Sequence, residues 1–167
     1  MTARAANLTI KALLQEHLTK PLGMNNSFWL NEDTNPHLAA MMVSSGDDYE
    51  RVLQAVLAYT PPWTKAIVDE MEKDAYAVYP QLRAASNQKD IGLEYYGHYS
   101  MSIYFECVGS QVWSETCARN NTHADPGAFG YWPLINRPKN YYFQLVVDRH
   151  VSLPLWAKIL FGITPST

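Results

Sequence analysis

Residues 120–147 commit this chain to antiparallel strands. The turn-forming run Asn136-Arg137-Pro138-Lys139-Asn140 is flanked by Tyr131-Trp132-Pro133-Leu134-Ile135 and Tyr141-Tyr142-Phe143-Gln144-Leu145-Val146-Val147. Aromatic and β-branched residues suit a pleated, half-buried surface, and Asn, Pro and Lys between them suit a reversal of direction. The stretch therefore reads as two strands joined by a turn. The first of them opens with His123, Asp125, Gly127 and Gly130, and the glycines let backbone come close to a ligand or a neighbouring chain. Such an arrangement suits the wall of an active site.

A hairpin needs cover, and the rest of the chain offers helices. Thr9 is placed to cap a helix carrying Ile10, Leu13, Leu14 and Leu18, which ends near Thr19 before Pro21 and Gly23. An Asn-, Asp- and Pro-rich loop follows through Pro36. Ser45 and Asp48 have the spacing of a capping box, and Tyr49, Val52, Leu53, Val56 and Leu57 then repeat at helical spacing until Pro61-Pro62. Thr64 can cap a third helix with Ile67, Val68, Met71 and Ala75 on one face. Between Tyr95 and Val108, Met101, Ile103 and Phe105 alternate against Ser100, Ser102 and Tyr104, which predicts one more strand. Ser152 starts a last helix with Leu155, Trp156, Ile159, Leu160 and Phe161 on its apolar face, ending at Gly162. The expectation is an α+β fold: an antiparallel sheet of about three strands, with N-terminal helices and a C-terminal helix packed on it. Residues 1–90 form its mainly helical part and 91–167 its strands and closing helix. Such a sheet keeps an open edge and an uncovered face, through which copies of the chain would self-associate.

Composition excludes several classes of function. With 47% hydrophobic and 17% charged residues in 167, the chain has ordinary globular composition. A net charge of −3 without a Lys/Arg run argues against a nucleic-acid partner. Val151–Ile163, the most apolar stretch, is broken by Pro154 and Lys158, so no membrane span is expected. Three Asn-x-Ser/Thr sequons, at Asn7, Asn25 and Asn120, and two cysteines, Cys107 and Cys117, across a Gly/Ser-containing loop are compatible with glycosylation, a disulfide and the secretory pathway. Residues 1–7 lack the apolar core of a signal peptide. His98, Glu106, His123 and Asp125 show no metal-ligand spacing, so neither a metal nor another cofactor is expected.

Several segments, taken in order, resemble the serine β-lactamase-like family, which includes class C β-lactamases, penicillin-binding proteins and related esterases. Lys20-Pro21-Leu22-Gly23-Met24 resembles its PLGM segment. Asn35-Pro36-His37-Leu38-Ala39 resembles its Pro-x-x-Ala segment, and Met42-Val43-Ser44-Ser45-Gly46-Asp47-Asp48-Tyr49 the start of the helix after it. Tyr95 to Phe105 resembles the YGLGW strand in position. Gly127-Ala128-Phe129-Gly130-Tyr131-Trp132-Pro133 with Ile135-Asn136-Arg137 resembles the GAFG-x-x-P-x-x-D-R hairpin of the esterase-like branch. The likeness runs from about Thr9 to Val147 and corresponds to the C-terminal half of that family's fold.

What the resemblance implies is acyl transfer from an ester or amide to water. The family's site joins Ser-x-x-Lys, Tyr-x-Asn or Tyr-x-Ser, and Lys-Thr-Gly or His-x-Gly on a strand whose following N–H forms half of an oxyanion hole. Only the third element has a counterpart here. His123 stands in its place as the catalytic candidate, with two more residues before Gly127 than the pattern has. Gly127 and the Ala128 N–H are the candidates for substrate binding. The one Ser-x-x-Lys, Ser86-Asn87-Gln88-Lys89, lies downstream of Pro-Leu-Gly-Met and reads as an exposed loop, and no Tyr-x-Asn or Tyr-x-Ser occurs. Two expectations follow. The chain is the C-terminal portion of a β-lactamase-related serine hydrolase, inactive alone and taking a small ester or amide substrate when completed by an N-terminal half; or it is a non-catalytic secreted module that keeps the scaffold for binding or assembly.

Overall fold

The computed structural model describes residues 6–30, 42–74, 103–105, 119–125 and 131–146. The chain divides into two units, Met1–Lys65 and Ala66–Thr167.

Among its described residues the first unit is helical with one small β ribbon. Thr9 caps α1 (Ile10–Leu14) as expected, its hydroxyl accepting from the Ala12 N–H at 3.1 Å. The helix does not stop near Thr19. It passes through one π turn (Gln15–Thr19) into α2 (Lys20–Leu22), which contains Pro21. Pro21 has no N–H for the ladder, and its ring crowds the carbonyl four residues back, so a widened turn just before it is a physical accommodation. Gly23 ends the helix with φ +66°. Its N–H bonds the Lys20 carbonyl at 3.0 Å and the Met24 N–H bonds the Thr19 carbonyl at 2.8 Å, the paired closure of a Schellman turn. A Cβ at Gly23 would lie 3.2 Å from Arg51 Nη1.

Within the stretch expected to be loop, Phe28–Trp29 forms β1, which pairs antiparallel with β2, Met42–Val43. Ser45 then caps α3 (Gly46–Ala58) by accepting from the Asp48 N–H at 3.2 Å. Asp48 does not turn back to close the capping box. Its Oδ2 instead accepts from the Asn26 N–H at 2.6 Å and the Ser27 hydroxyl at 2.8 Å, and the residue is buried. One carboxylate thus secures the turn before β1 to the first turn of α3, because a buried charge is tolerated only when hydrogen-bonded. Leu53, Ala55 and Val56 are the buried face of α3. Tyr59, in the left-handed region with φ 57°, ends the helix before Pro61-Pro62, and the Thr60 N–H closes on the Ala55 carbonyl at 2.8 Å.

The helix α4 (Lys65–Met71) leads into the second unit. Val68 is fully buried, whereas Ile67, expected beside it on the apolar face, is 47% exposed. Seven residues make barely two turns, so one face holds only a narrow contact. Among the described residues the sheet of this unit has four strands and not the expected three: β3 (Tyr104–Phe105), β4 (Thr122–Ala124), β5 (Tyr131–Asn136) and β6 (Tyr141–Val146), antiparallel in that order. The additional strand arises because the expected first strand of the hairpin is two. Thr122, His123 and Ala124 pair with Asn136, Ile135 and Leu134, so His123 lies alongside β5 and not at its beginning. Asp125-Pro126-Gly127 is the sequence cause, since Pro cannot donate to a ladder and Asp and Gly favour reversal. The hairpin from β5 to β6 forms as expected, with Asn136 opposite Tyr141. Asn140 has φ 52°, and its N–H bonds the Arg137 carbonyl at 3.1 Å. Phe105, Ala124, Trp132 and Ile135 are buried in the sheet, and Tyr141, Phe143 and Val146 on β6 are exposed. The expected strand between Tyr95 and Val108 is described only at 103–105, where β3 forms; its remainder, the helix from Ser152, Ser86–Lys89, Cys107, Cys117, Gly127 and Ala128 lie outside the described residues. Among the described residues no helix is long and apolar enough to cross a membrane.

Candidate functional site

The cluster around β4 is assembled from four parts of the second unit. Its base is a polar seam between β4 and β5. Asn136 Nδ2 donates to Thr122 Oγ1 at 2.7 Å, the Thr122 hydroxyl donates to the Asn120 carbonyl at 3.1 Å, and Asn136 Oδ1 accepts from the Lys139 N–H at 2.9 Å. Thr122 and Asn136 are buried and stand opposite each other in register. Each buried polar group is thereby matched, which ties the strand pair to the turn after β5.

The next residue on β4 is His123, only 3% exposed. Its ring packs against Phe105 of β3 with centroids 4.6 Å apart and planes tilted by 56°. Its Nε2 meets Asn121 Oδ1 at 2.7 Å, a contact made possible by the left-handed turn at Asn121, φ 39°. Nδ1 is buried and has no hydrogen-bond partner among the described residues. Burial, and secondarily the positive charge of Arg137, lower the His123 pKa to about 4. At neutral pH the imidazole is therefore uncharged; with Nε2–H donating to Asn121, Nδ1 carries an inward lone pair.

Beyond His123 stands a buried ion pair. Arg137, in the turn after β5, donates from Nε to Glu72 Oε1 and Oε2 at 2.8 and 2.9 Å and from Nη2 to Oε1 at 2.6 Å. The two side chains are 8% and 10% exposed. Glu72 immediately follows α4, with its N–H bonded to the Val68 carbonyl at 2.9 Å. Its Oε2 lies 3.7 Å from His123 Nε2. That separation is too long for a hydrogen bond but close enough for charge to be felt. Asp125, just past the end of β4, has its pKa raised by burial.

Of the residues singled out in the sequence, His123 lies on β4 and Asp125 directly after its end, and Arg137 approaches His123 from the hairpin turn. His123, the catalytic candidate, is enclosed as placed. Gly127 and Ala128 lie outside the described residues, as do His98 and Glu106, and among the described residues no group of three His, Cys, Asp or Glu could hold a metal. Asn7 and Asn25 are exposed, and Asn120 is partly buried. Sequence reading missed Glu72. It is 65 residues from Arg137 and follows an amphipathic helix among other charged residues, so no local pattern marks it.

No protein-family model and no curated protein matches the sequence. Solved structures do match the fold. A β-lactamase from Mycobacterium bovis superposes with a TM-score of 0.64 at 15% identity, over 96% of this chain and 57% of that one. A β-lactamase-like protein from Bacteroides dorei gives 0.60 at 18% identity, over 90% of this chain and 46% of that one. A variant of the simvastatin synthase of Aspergillus terreus gives 0.62 at 16% identity, over 90% and 48%. This chain spans about half the length of the structures it matches. Helices, antiparallel strands and these superpositions agree: the chain has a β-lactamase-like fold, over a share consistent with its C-terminal half.

Proposed function

We propose that this chain is the C-terminal portion of a β-lactamase-related serine hydrolase that transfers the acyl group of a small ester or amide to water, and that it is inactive alone. The observation that carries the reading is a likeness over nearly all of this chain but only about half of each matched structure. It agrees with a sequence that lacks Tyr-x-Asn and has its one Ser-x-x-Lys downstream of Pro-Leu-Gly-Met.

In this reading β4 and the residues after it line one wall of the site. Gly127 and the Ala128 N–H supply half of an oxyanion hole, where a backbone donor meets charge as it develops. His123 stands at the base of that wall. An imidazole with a pKa of about 4 holds a proton poorly at neutral pH, so its contribution there is an acceptor at Nδ1 and not a proton donor. The serine and its activating lysine come from the complementary part of the fold.

The test compares the 167-residue chain with the same chain fused behind a segment bearing Ser-x-x-Lys and Tyr-x-Asn from its own upstream coding sequence. A chromogenic ester and a chromogenic β-lactam are the substrates. No turnover by the chain and serine-dependent turnover by the fusion are expected. Labelling of Ser86 in the chain alone by a serine-directed acylating probe, abolished by Ser86→Ala, would sink the proposal. An upstream sequence with neither motif would favour a non-catalytic binding module on the same scaffold.

A further inference from the structure

We propose that Glu72, Arg137 and His123 form an acid-labile clasp that holds the end of α4 on the sheet at neutral pH and releases it when His123 takes up a proton. The inference rests on how charge and hydrogen bonds are arranged in the cluster, and it does not depend on the acyl-transfer reading.

One carboxylate faces both neighbours but bonds only one. Glu72 receives three contacts from the Arg137 guanidinium at 2.6 to 2.9 Å, while the imidazole stands 3.7 Å from its Oε2. With the ring uncharged, the enclosed charges of Glu72 and Arg137 cancel. A proton on His123 would add a positive charge to a region from which water is largely excluded, where Glu72 is already committed to Arg137. Among the described residues the groups facing the ring are Glu72 from the end of α4, Arg137 from the turn after β5, Asn121 from the turn before β4, and Phe105 from β3. Asp125 lies just past the end of β4, and burial favours its own neutral form.

Hydrogen bonding points the same way. Imidazolium has two N–H donors, of which Nε2–H has Asn121, whereas Nδ1 has no partner among the described residues. Among the described residues the proton would therefore create both a charge without a committed counter-charge and an unmet donor. Opening relieves both by admitting water. The element with least to lose is α4, seven residues long with Val68 its only buried side chain, whereas β5 and β6 pair over six positions each.

Hydrogen exchange of the full 167-residue chain tests this, with rates corrected for the intrinsic pH dependence of amide exchange. An open state with an ordinary histidine pKa implies that protection of residues 66–74 falls about thirtyfold between pH 7.5 and 5, from the lowered value of about 4. Residues 131–146 should lose much less. His123→Gln, which keeps a donor for Asn121 but cannot titrate, should remove the difference between the segments. Equal loss in both segments, or the same difference in the variant, would overturn the clasp. If the variant does not fold, carbon-labelled histidine in the native chain decides by NMR. A His123 midpoint well below the ordinary value supports the clasp, and an ordinary midpoint overturns it.

Discussion

Truncating either side of the Glu72–Arg137 pair should destabilise the second unit far more than removing both sides together. Each side chain is about nine-tenths buried, and their three N–O separations are at hydrogen-bonding distance. Glu72→Met leaves a buried guanidinium without its carboxylate, and Arg137→Met leaves the carboxylate without its guanidinium. Breaking a buried pair in this way costs on the order of 3–5 kcal/mol, because the remaining charge has been taken out of water and has lost its counter-charge in the pair. Replacing both residues with methionine removes both desolvation costs and fills comparable volume, which in other buried pairs is neutral or stabilising. The double variant should thus lie within about 1–2 kcal/mol of the native chain while the two single losses sum to about 6–10 kcal/mol, with a correspondingly large coupling energy. Equilibrium urea denaturation followed by tryptophan fluorescence reads this out, since Trp132 is buried on β5 of the same unit. The m-value should stay constant across the four proteins. Additive single losses would refute the reasoning, since they would mean that the two charges do not depend on each other. Arg137→Met carries an internal control: the guanidinium helps to lower the His123 pKa, so its removal should raise the midpoint of that histidine.

Three further outcomes are expected. Asp125→Asn should stabilise the chain at neutral pH, because burial raises the Asp125 pKa and the ionised form is the disfavoured one; the gain should fade as pH falls through that raised pKa and vanish below the unfolded value, as urea titrations at several pH values would show. Asp48→Ala removes the acceptor of the Asn26 N–H and the Ser27 hydroxyl, and at about 1.5–3 kcal/mol for each bond to a charged group it should cost the first unit several kcal/mol in the same denaturation assay. Gly23→Ala should cost about 1–2 kcal/mol from the left-handed backbone alone; Arg51 Nη1, 3.2 Å from the new Cβ, sits at the end of a flexible side chain and can move, so a loss much beyond that would indicate a different constraint.

The candidate site was legible only in part. His123 and Asp125 drew notice through their place before Gly127, and Arg137 through the hairpin turn. That His123 is enclosed follows from Phe105 on β3, Asn121 in the preceding turn and Glu72 after α4. None of these is at a spacing that sequence periodicity reports. The strand count failed for a related reason. Residues 122–124 and 131–135 suit strands, and the Asp-Pro-Gly between them marks where β4 gives way to a strand running back along it.

What the sequence by itself determined about this protein is whatever depends on neighbours within about five positions. Ser45 capping α3 on the Asp48 N–H, Gly23 closing α2 through a left-handed turn, and the Asn136–Asn140 reversal that places β6 against β5 are all of this kind. Tertiary structure alone decided the partners of the buried charges. Asp48 left its helix cap for Asn26 and Ser27, and Glu72 found Arg137 across 65 residues. A carboxylate in a chain is compatible with many partners, and burial selects among them: once water is excluded, the charge must be met by whatever donors the packing brings within hydrogen-bond distance.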